Sequence, residues 1–303
     1  MQPSKYDVVI IGGSFAGLSA AMQVVRSRRS VLIIDAGQPR NRFVKAAHGF
    51  IGQDGQPPQE ILARFKHELD AYKTVSFLAG TVIQAEGEKD TFTLITDTQK
   101  KFQGRRLILA FGLVDHLPEI PGLAQFWGKS VFHCPYCNAY EVAGQRLGVL
   151  ATQSESLHQA IMLLEWSQEI TLFTNNSLQL NDAELQELVE LGIKIETTPV
   201  KQLNGASETL QSIQLKDDRI IEIDTIFTLS DTTLASPLAK QLNCDIEAGF
   251  FGPNIKVDPV TKETTTPGVF AAGDITRSFH KVSLAVADGN LAGVFSHKSL
   301  VLP

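Results

Sequence analysis

The 303-residue chain has only three cysteines, too few for the disulfide frameworks that staple small secreted domains. It has no apolar run long enough to cross a bilayer. It also has no basic segment leading into an apolar one at its start, where a strand-like stretch from Tyr6 to Ile11 begins almost at once. Secretion and membrane insertion are therefore not expected, and a cytoplasmic location is. Positive charge is in short supply too. The 27 Lys and Arg against 33 Asp and Glu leave a net charge of −6, which gives no global basic field to recruit nucleic acid or anionic lipid. There is no low-complexity tract and no short repeat. What remains is an ordinary globular composition, 43% hydrophobic and 20% charged, in a chain long enough for two domains.

Val8-Val9-Ile10-Ile11 is a β-branched run that meets Gly12-Gly13-Ser14-Phe15-Ala16-Gly17 directly. Leu18 to Arg29 reads as a helix, and Val31-Leu32-Ile33-Ile34 as a second buried strand that ends in Asp35. Strand, glycine turn, helix, strand and acid together make a βαβ nucleotide-binding unit. The first glycine permits the tight turn and the last lets helix and strand approach. Asp35 suits a ribose hydroxyl. Ser14 stands in the slot of the middle glycine, so the fingerprint is imperfect, and alone it also fits a glycine turn in another α/β fold. Thr91 to Ile95 and Leu107 to Ala110 read as further strands.

A break at Pro118-Glu119-Ile120-Pro121-Gly122 precedes a second βαβ pattern, with strand Leu147–Ala151, helix Glu155–Ser167 and strand Ile170–Phe173. Asp182 to Leu191 is a further helix stopped by Gly192, and short strands fill Ile213 to Thr228. Composition changes again past Gly249 and Gly252-Pro253, before a final helix.

Cys134-Pro135-Tyr136-Cys137 lies between the two units. The spacing suits a reversible disulfide at the first turn of a helix, where the dipole favours a thiolate and Pro135 suits an early helical position. A zinc site competes with this reading, but only His133 and Cys244 are on offer as further ligands. A glutaredoxin shares the tetrapeptide, yet is far shorter and carries it near its beginning. A purely structural disulfide does not suit a reducing compartment. Cys244 reads as a small buried apolar residue.

Gly12 to Gly17, Cys134 to Cys137, and Thr266-Pro267-Gly268-Val269-Phe270-Ala271-Ala272-Gly273-Asp274 together resemble the low-molecular-weight thioredoxin reductases, FAD-dependent two-domain disulfide oxidoreductases, over nearly the whole chain. The last motif is the most specific. The Asp35-Ala36-Gly37-Gln38-Pro39-Arg40-Asn41-Arg42 run with His48-Gly49 is more similar to a non-classical branch that includes dithiol oxidases and reductases independent of pyridine nucleotides. The resemblance implies an α/β fold with two Rossmann-like nucleotide-binding domains. The FAD domain would be discontinuous, at 1–117 and 248–303, with a smaller NAD(P)-type domain carrying the dithiol inserted at 118–247. It also implies a homodimer. FAD would lie against Gly12, Ser14, Phe15, Ala16 and Gly17, and against Asp35, Ala36, Gly37, Arg40, Asn41 and His48. Val82, Ala110 and Gly112 would add to that site, as would Gly273, Asp274, Lys281 and Val282, with Asp274 holding the ribitol. Lys281 and Val282 stand where the family usually has Arg-Gln. Cys137 would be the cysteine nearer the flavin and Cys134 the one facing substrate.

Two departures matter. The residue after the second cysteine, commonly Asp or His in the family, is Asn138, which cannot transfer a proton at neutral pH; His48 and His133 are the candidates to replace it, each also readable as an ordinary structural histidine. And the second nucleotide turn, Leu150-Ala151-Thr152-Gln153-Ser154-Glu155-Ser156, has lost every glycine. Thr174-Asn175-Asn176 stands where arginines would bind a 2′-phosphate. From Leu147 to Ile193 there is no Lys or Arg. NADPH would gain no charge-assisted hydrogen bonds there, each worth roughly 1.5–3 kcal/mol. The crevice is expected to be structural, or to accept another nucleotide such as a second flavin through Thr152, Gln153, Ser154, Asn175 and Asn176. The expected function is therefore dithiol/disulfide exchange with FAD and a non-NADPH electron partner: a ferredoxin, a second flavin, oxygen or a quinone. The disulfide partner would be a thioredoxin-like protein or a small disulfide or dithiol. An NAD(P)H-dependent thioredoxin reductase and a flavin/dithiol redox sensor without turnover are the alternatives.

Overall fold

The structure, a computed structural model, describes residues 4–302. The chain divides into two compact units: unit 1 comprises residues up to Arg42, Gln59–Val114 and Thr232 onward, and unit 2 comprises Phe43–Pro58 and Asp115–Asp231. Both are α/β with parallel Rossmann-like sheets, as the sequence implied.

Unit 1 opens with β1 (Ser4–Ile11), α1 (Phe15–Arg26) and β2 (Val31–Asp35), followed by α2 (Pro58–Asp70), β3 (Val75–Ala79), β4 (Val82–Glu86), β5 (Phe92–Thr96) and β6 (Lys101–Leu109). The sheet order is β3-β2-β1-β6-β5-β4. Val8 to Ile11 and Val31 to Ile34 are buried throughout, because strands covered on both faces need apolar residues at every position. They pair in parallel, Val8 to Val31 through Ile11 to Ile34. β7 (Leu113–His116) follows.

In unit 2 come α3 (Leu123–Phe126), β8 (Val131–Phe132), α4 (Pro135–Asn138), β9 (Leu147–Leu150), α5 (Ser156–Met162) and β10 (Ile170–Phe173). They are followed by α6 (Asp182–Glu190), β11 (Lys194–Glu196), β12 (Val200–Ala206), β13 (Thr209–Leu215), β14 (Ile220–Glu222) and β15 (Thr225–Thr228). The main sheet runs β11-β10-β9-β15-β8, all parallel. Its topological switch point, where open α/β sheets bind ligands, is between β9 and β15. α6 forms as expected, with a capping box of Asn181 and Glu184 at its start and Gly192 in a left-handed conformation just beyond its end. α5 is shorter than its apolar pattern suggests. It gives way to a 3₁₀ turn, Leu163–Glu165, which closes with Trp166 N–H on the Leu163 carbonyl.

The chain continues through β16 (Asp231–Leu234), α7 (Leu238–Gln241), β17 (Ile246–Ala248), β18 (Pro253–Ile255), β19 (Val269–Ala271) and α8 (Val282–Val301). β19 joins the unit 1 sheet beside β6. The division after 247 expected from composition differs from the boundary at Asp231/Thr232. Leu238, Ala239, Leu242, Cys244 and Ile255 share a core cluster with Val9, Ile11, Leu107 and Leu109, so they group with unit 1. The outer bounds at 1 and 303 lie outside the described residues.

Helices α1 and α8 pack at backbone distance. A side chain at Gly289 would meet the Ala16 backbone, and one at Gly293 that of Ala20, while Ser19 Oγ donates to the Val286 carbonyl at 2.7 Å. Among the described residues no helix is long and apolar enough to cross a membrane.

Candidate active site and cofactor cradle

The turn after β1 in unit 1 is built by close contact. Gly12 has φ +108° and sits against Ala110, where a side chain would meet backbone; Ala110 N–H in turn bonds the Ile11 carbonyl at 2.8 Å. At Gly13, a Cβ would lie 2.8 Å from that of Asp35, whose Oδ1 instead accepts the Gly13 N–H at 3.0 Å. Lys66 lies 3.7 Å from the other Asp35 oxygen. Ser14 is the N-cap of α1 in extended conformation and makes no side-chain cap, which leaves the helix start, Phe15-Ala16-Gly17, facing the turn with its backbone donors. A Cβ on Gly273 (φ +85°) would stand 3.0 Å from Ala16 Cβ, which brings the C-terminal motif to the same turn. Asp274 begins the turn Asp274–Thr276 and is bound by Arg40 at 3.2 Å.

This is the cradle a dinucleotide needs: a glycine turn, an uncapped twelve-residue helix and carboxylates at both flanks. FAD fits these residues. Ala36 and Gly37 (φ +70°) follow β2, and Arg40 and Asn41 lie in a 3₁₀ turn, Arg40–Phe43. Gly112 (φ +77°) follows β6. Val82 opens β4 with its side chain in the core. Lys281 is the N-cap of α8 and Val282 its first residue; burial pushes the Lys281 amine below its usual range.

In unit 2, Cys134 and Cys137 are joined as a disulfide with Cα atoms 5.3 Å apart. Cys134 is the N-cap and Pro135 the first residue of α4, and Cys137 N–H bonds the Cys134 carbonyl at 3.1 Å. α4 spans four residues, so the expected macrodipole shrinks to the N–H groups of a single turn. Tyr136 is 63% exposed and meets the Trp166 ring edge-on at 5.9 Å. His133 precedes the pair, and its carbonyl accepts from Gln159 Nε2 at 2.9 Å. His48 lies in the Phe43–Pro58 segment that groups with this unit, with Nδ1 3.4 Å from Glu141 and 3.7 Å from Asp54. The fold thus pairs His48 with Glu141 within the unit that carries the dithiol. Among the described residues no group of His, Cys, Asp and Glu could hold a metal.

The second nucleotide turn is closed on itself. Ser156 Oγ accepts the Thr152 N–H at 3.2 Å; Ser156 N–H bonds the Gln153 carbonyl and Leu157 N–H the Ser154 carbonyl. Across the switch point, Thr152 Oγ1 donates to the Leu229 carbonyl and Thr228 Oγ1 to that of Leu150, both at 3.0 Å, which ties the ends of β9 and β15 together. Asn175 and Asn176 both adopt positive φ, and Asn175 Oδ1 accepts the Val200 N–H at 3.0 Å. Gln159, Thr228, Glu141 and His280 escape sequence reasoning, although a glutamine among Leu157, Ala160 and Leu163 on a buried helix face was a visible signal.

The pyridine nucleotide-disulphide oxidoreductase family matches residues 6–289, and the chain belongs to it. It is 32% identical to thioredoxin reductase tcpT of Claviceps purpurea, over 97% of this chain and 94% of that one. The crystal structure of an oxidoreductase from Agrobacterium tumefaciens superposes with TM-score 0.94 at 40% identity, covering 99% of both chains. A putative thioredoxin reductase TrxB from Bacillus anthracis gives TM-score 0.91 at 26% identity, over 97% of this chain and 98% of that one. The protein is a thioredoxin reductase-like, flavin-dependent disulfide oxidoreductase, and FAD follows from the family.

Proposed function

We propose that this enzyme exchanges electrons between the Cys134–Cys137 pair and FAD without taking them from NADPH, as in the non-classical branch of its family. The closed β9–α5 turn carries the reading. The Thr152 N–H that a pyrophosphate would need is held by Ser156, Thr152 is tied to Leu229, and no glycine leaves room for a pyrophosphate lying against the turn. α5 has seven residues, too few to project a useful dipole into the crevice.

In the reducing direction one thiolate attacks a substrate disulfide and expels a substrate thiolate. The second thiolate then displaces the other half from the mixed disulfide, so two electrons reach the substrate and Cys134–Cys137 is re-formed as a disulfide. FAD supplies or accepts the two electrons. The reverse sequence oxidises a dithiol. By family resemblance Cys134 exchanges with substrate and Cys137 with the flavin, and with Asn138 unable to transfer a proton, His48 and His133 are the candidates for that task. A thioredoxin-like protein or a small disulfide is the exchange partner, and a ferredoxin, a second flavin, oxygen or a quinone takes the place of NADPH, in a cytoplasmic homodimer.

Mixing the oxidised holoenzyme with NADPH in a stopped-flow instrument tests the central claim. The visible flavin band is expected to persist on the timescale of turnover; rapid bleaching would mean that NADPH is the donor after all. One observation favours a second occupant of the crevice: Gln153 Nε2 is buried without a hydrogen-bond partner, which a ligand acceptor would satisfy. The flavin-to-chain ratio of the purified protein decides it, two flavins per chain against one.

A further inference from the structure

In unit 1, Arg40 Nη1 stands 3.2 Å from Asp274 Oδ2 and 2.7 Å from His280 Nδ1. His280 Nε2 is 2.9 Å from the carbonyl oxygen of Arg277. These partners fix the imidazole. A guanidinium only donates and a carbonyl only accepts. Nδ1 must therefore offer its lone pair to Arg40, and Nε2 must carry the hydrogen. His280 is neutral and held in one tautomer.

The surroundings keep both contacts in place. Arg277 is anchored through Nε to Asp288 at 2.9 Å, and Lys262 reaches the same carboxylate at 2.9 Å, so the Arg277 carbonyl is a stationary acceptor. The loop between β17 and β18 lays the Phe251 ring against His280 at 6.0 Å. Charged groups about the imidazole include Arg40 from the 3₁₀ turn after β2, Asp274 from the turn before α8, Arg277 and Lys281 from its own segment, and Asp288 and Lys262 behind Arg277. A proton on Nδ1 would remove the acceptor and set a second positive charge beside Arg40.

We propose that His280 is a positioning residue for the FAD anchor: neutral, it holds Arg40 on Asp274, and protonated, it releases Arg40. Asp274 and Arg40 belong to the cradle that FAD fits, and the inference does not depend on the electron donor. FAD affinity should therefore fall on acidification, as the imidazole takes up a proton.

The test is FAD binding to the flavin-stripped full chain, followed by quenching of flavin fluorescence from about pH 8 down to about pH 5, the span in which an ordinary imidazole changes charge. The unmodified protein is expected to bind roughly 10-fold or more weakly at the acid end, the loss of one charge-assisted contact. His280→Phe keeps a ring against Phe251 but no acceptor, and should bind roughly 10- to 100-fold more weakly at every pH. His280→Asn offers Arg40 an amide oxygen that does not titrate, and should bind tightly with a flat profile. Wild-type affinity in His280→Phe, or an acid-limited profile that survives in His280→Asn, overturns the proposal. If His280→Phe does not fold, the His280→Asn profile alone decides.

Discussion

Gln159 Nε2 donates to the carbonyl of His133 at 2.9 Å, which ties helix α5, at the mouth of the second nucleotide crevice, to the residue before the dithiol. Gln159 is 4% exposed, and its Oε1 has no hydrogen-bond partner. A side chain that accepts such a cost in a buried position is holding something in place. Gln159→Leu should destabilise the protein by about 1 kcal/mol, the lost hydrogen bond offset in part by relief of the unpartnered oxygen. It should also change the alkylation rate of reduced Cys134. Urea midpoints and a thiol-labelling time course measure the two effects. An unchanged labelling rate in a destabilised variant would reduce Gln159 to a packing residue.

The Arg146–Asp224 pair gives a pH-dependent prediction. The Arg146 guanidinium bonds Asp224 from Nε at 2.9 Å and Nη2 at 2.6 Å, and this contact, against a smaller opposing effect of burial, holds the Asp224 carboxyl below its usual range. A carboxylate with a depressed folded pKa stabilises above its unfolded value and loses that contribution as pH falls through the folded one. Asp224→Asn should therefore be less stable than the parent at neutral pH. The gap should close below about pH 4, where the parent loses its own contribution. Equal gaps in urea midpoint at both pH values would show that the ion pair contributes nothing.

Contact between α1 and α8 sets the shape of the cofactor cradle, since it seats the Gly273 turn over Ala16. A Cβ at Gly289 would already collide with the Ala16 backbone. Gly289→Val should cost roughly 1–3 kcal/mol from overpacking. FAD should also be lost at a lower temperature than in the parent, because the helices must separate. Thermal release of flavin fluorescence reports this directly; release at the parental temperature would mean that the helix contact and the cradle are independent.

Much of this was legible in the residues. Val8–Ile11, Gly12 to Gly17 and Asp35 announce their βαβ unit because a covered parallel strand needs an unbroken apolar run and the turn needs glycine. The family motif around Gly273-Asp274 is equally direct. β12, from Val200 to Ala206, was not legible: register shifts between Val200 and Gln202 and between Asn204 and Gly205 interrupt its alternation. The length of α5 was overestimated because apolar spacing continues through Leu163 and Leu164 after the hydrogen bonding has tightened to a 3₁₀ turn. The grouping of His48 with Glu141, and of His280 with Arg40, joins residues far apart in the chain, and no local pattern encodes such pairs. The unit boundary at Asp231/Thr232 was hidden for the same reason, since only packing reveals which core Leu238 and Cys244 enter.

Cys244 is where the three thiols can be told apart by experiment. It is 6% exposed, its Sγ lies 3.4 Å from Thr264 Oγ1, and burial pushes its thiol above the ordinary range. A raised pKa keeps the sulfur protonated, and the thiol form is a poor nucleophile. The reduced native protein should therefore react with a thiol reagent at Cys134 and Cys137 within the ordinary labelling time. Cys244 should react only as unit 1 opens, at least roughly 100-fold more slowly given the stability of a folded core. Denaturant should bring all three to one rate. Fast labelling of Cys244 in the native state would place it outside the core cluster and overturn its reading as a small buried apolar residue.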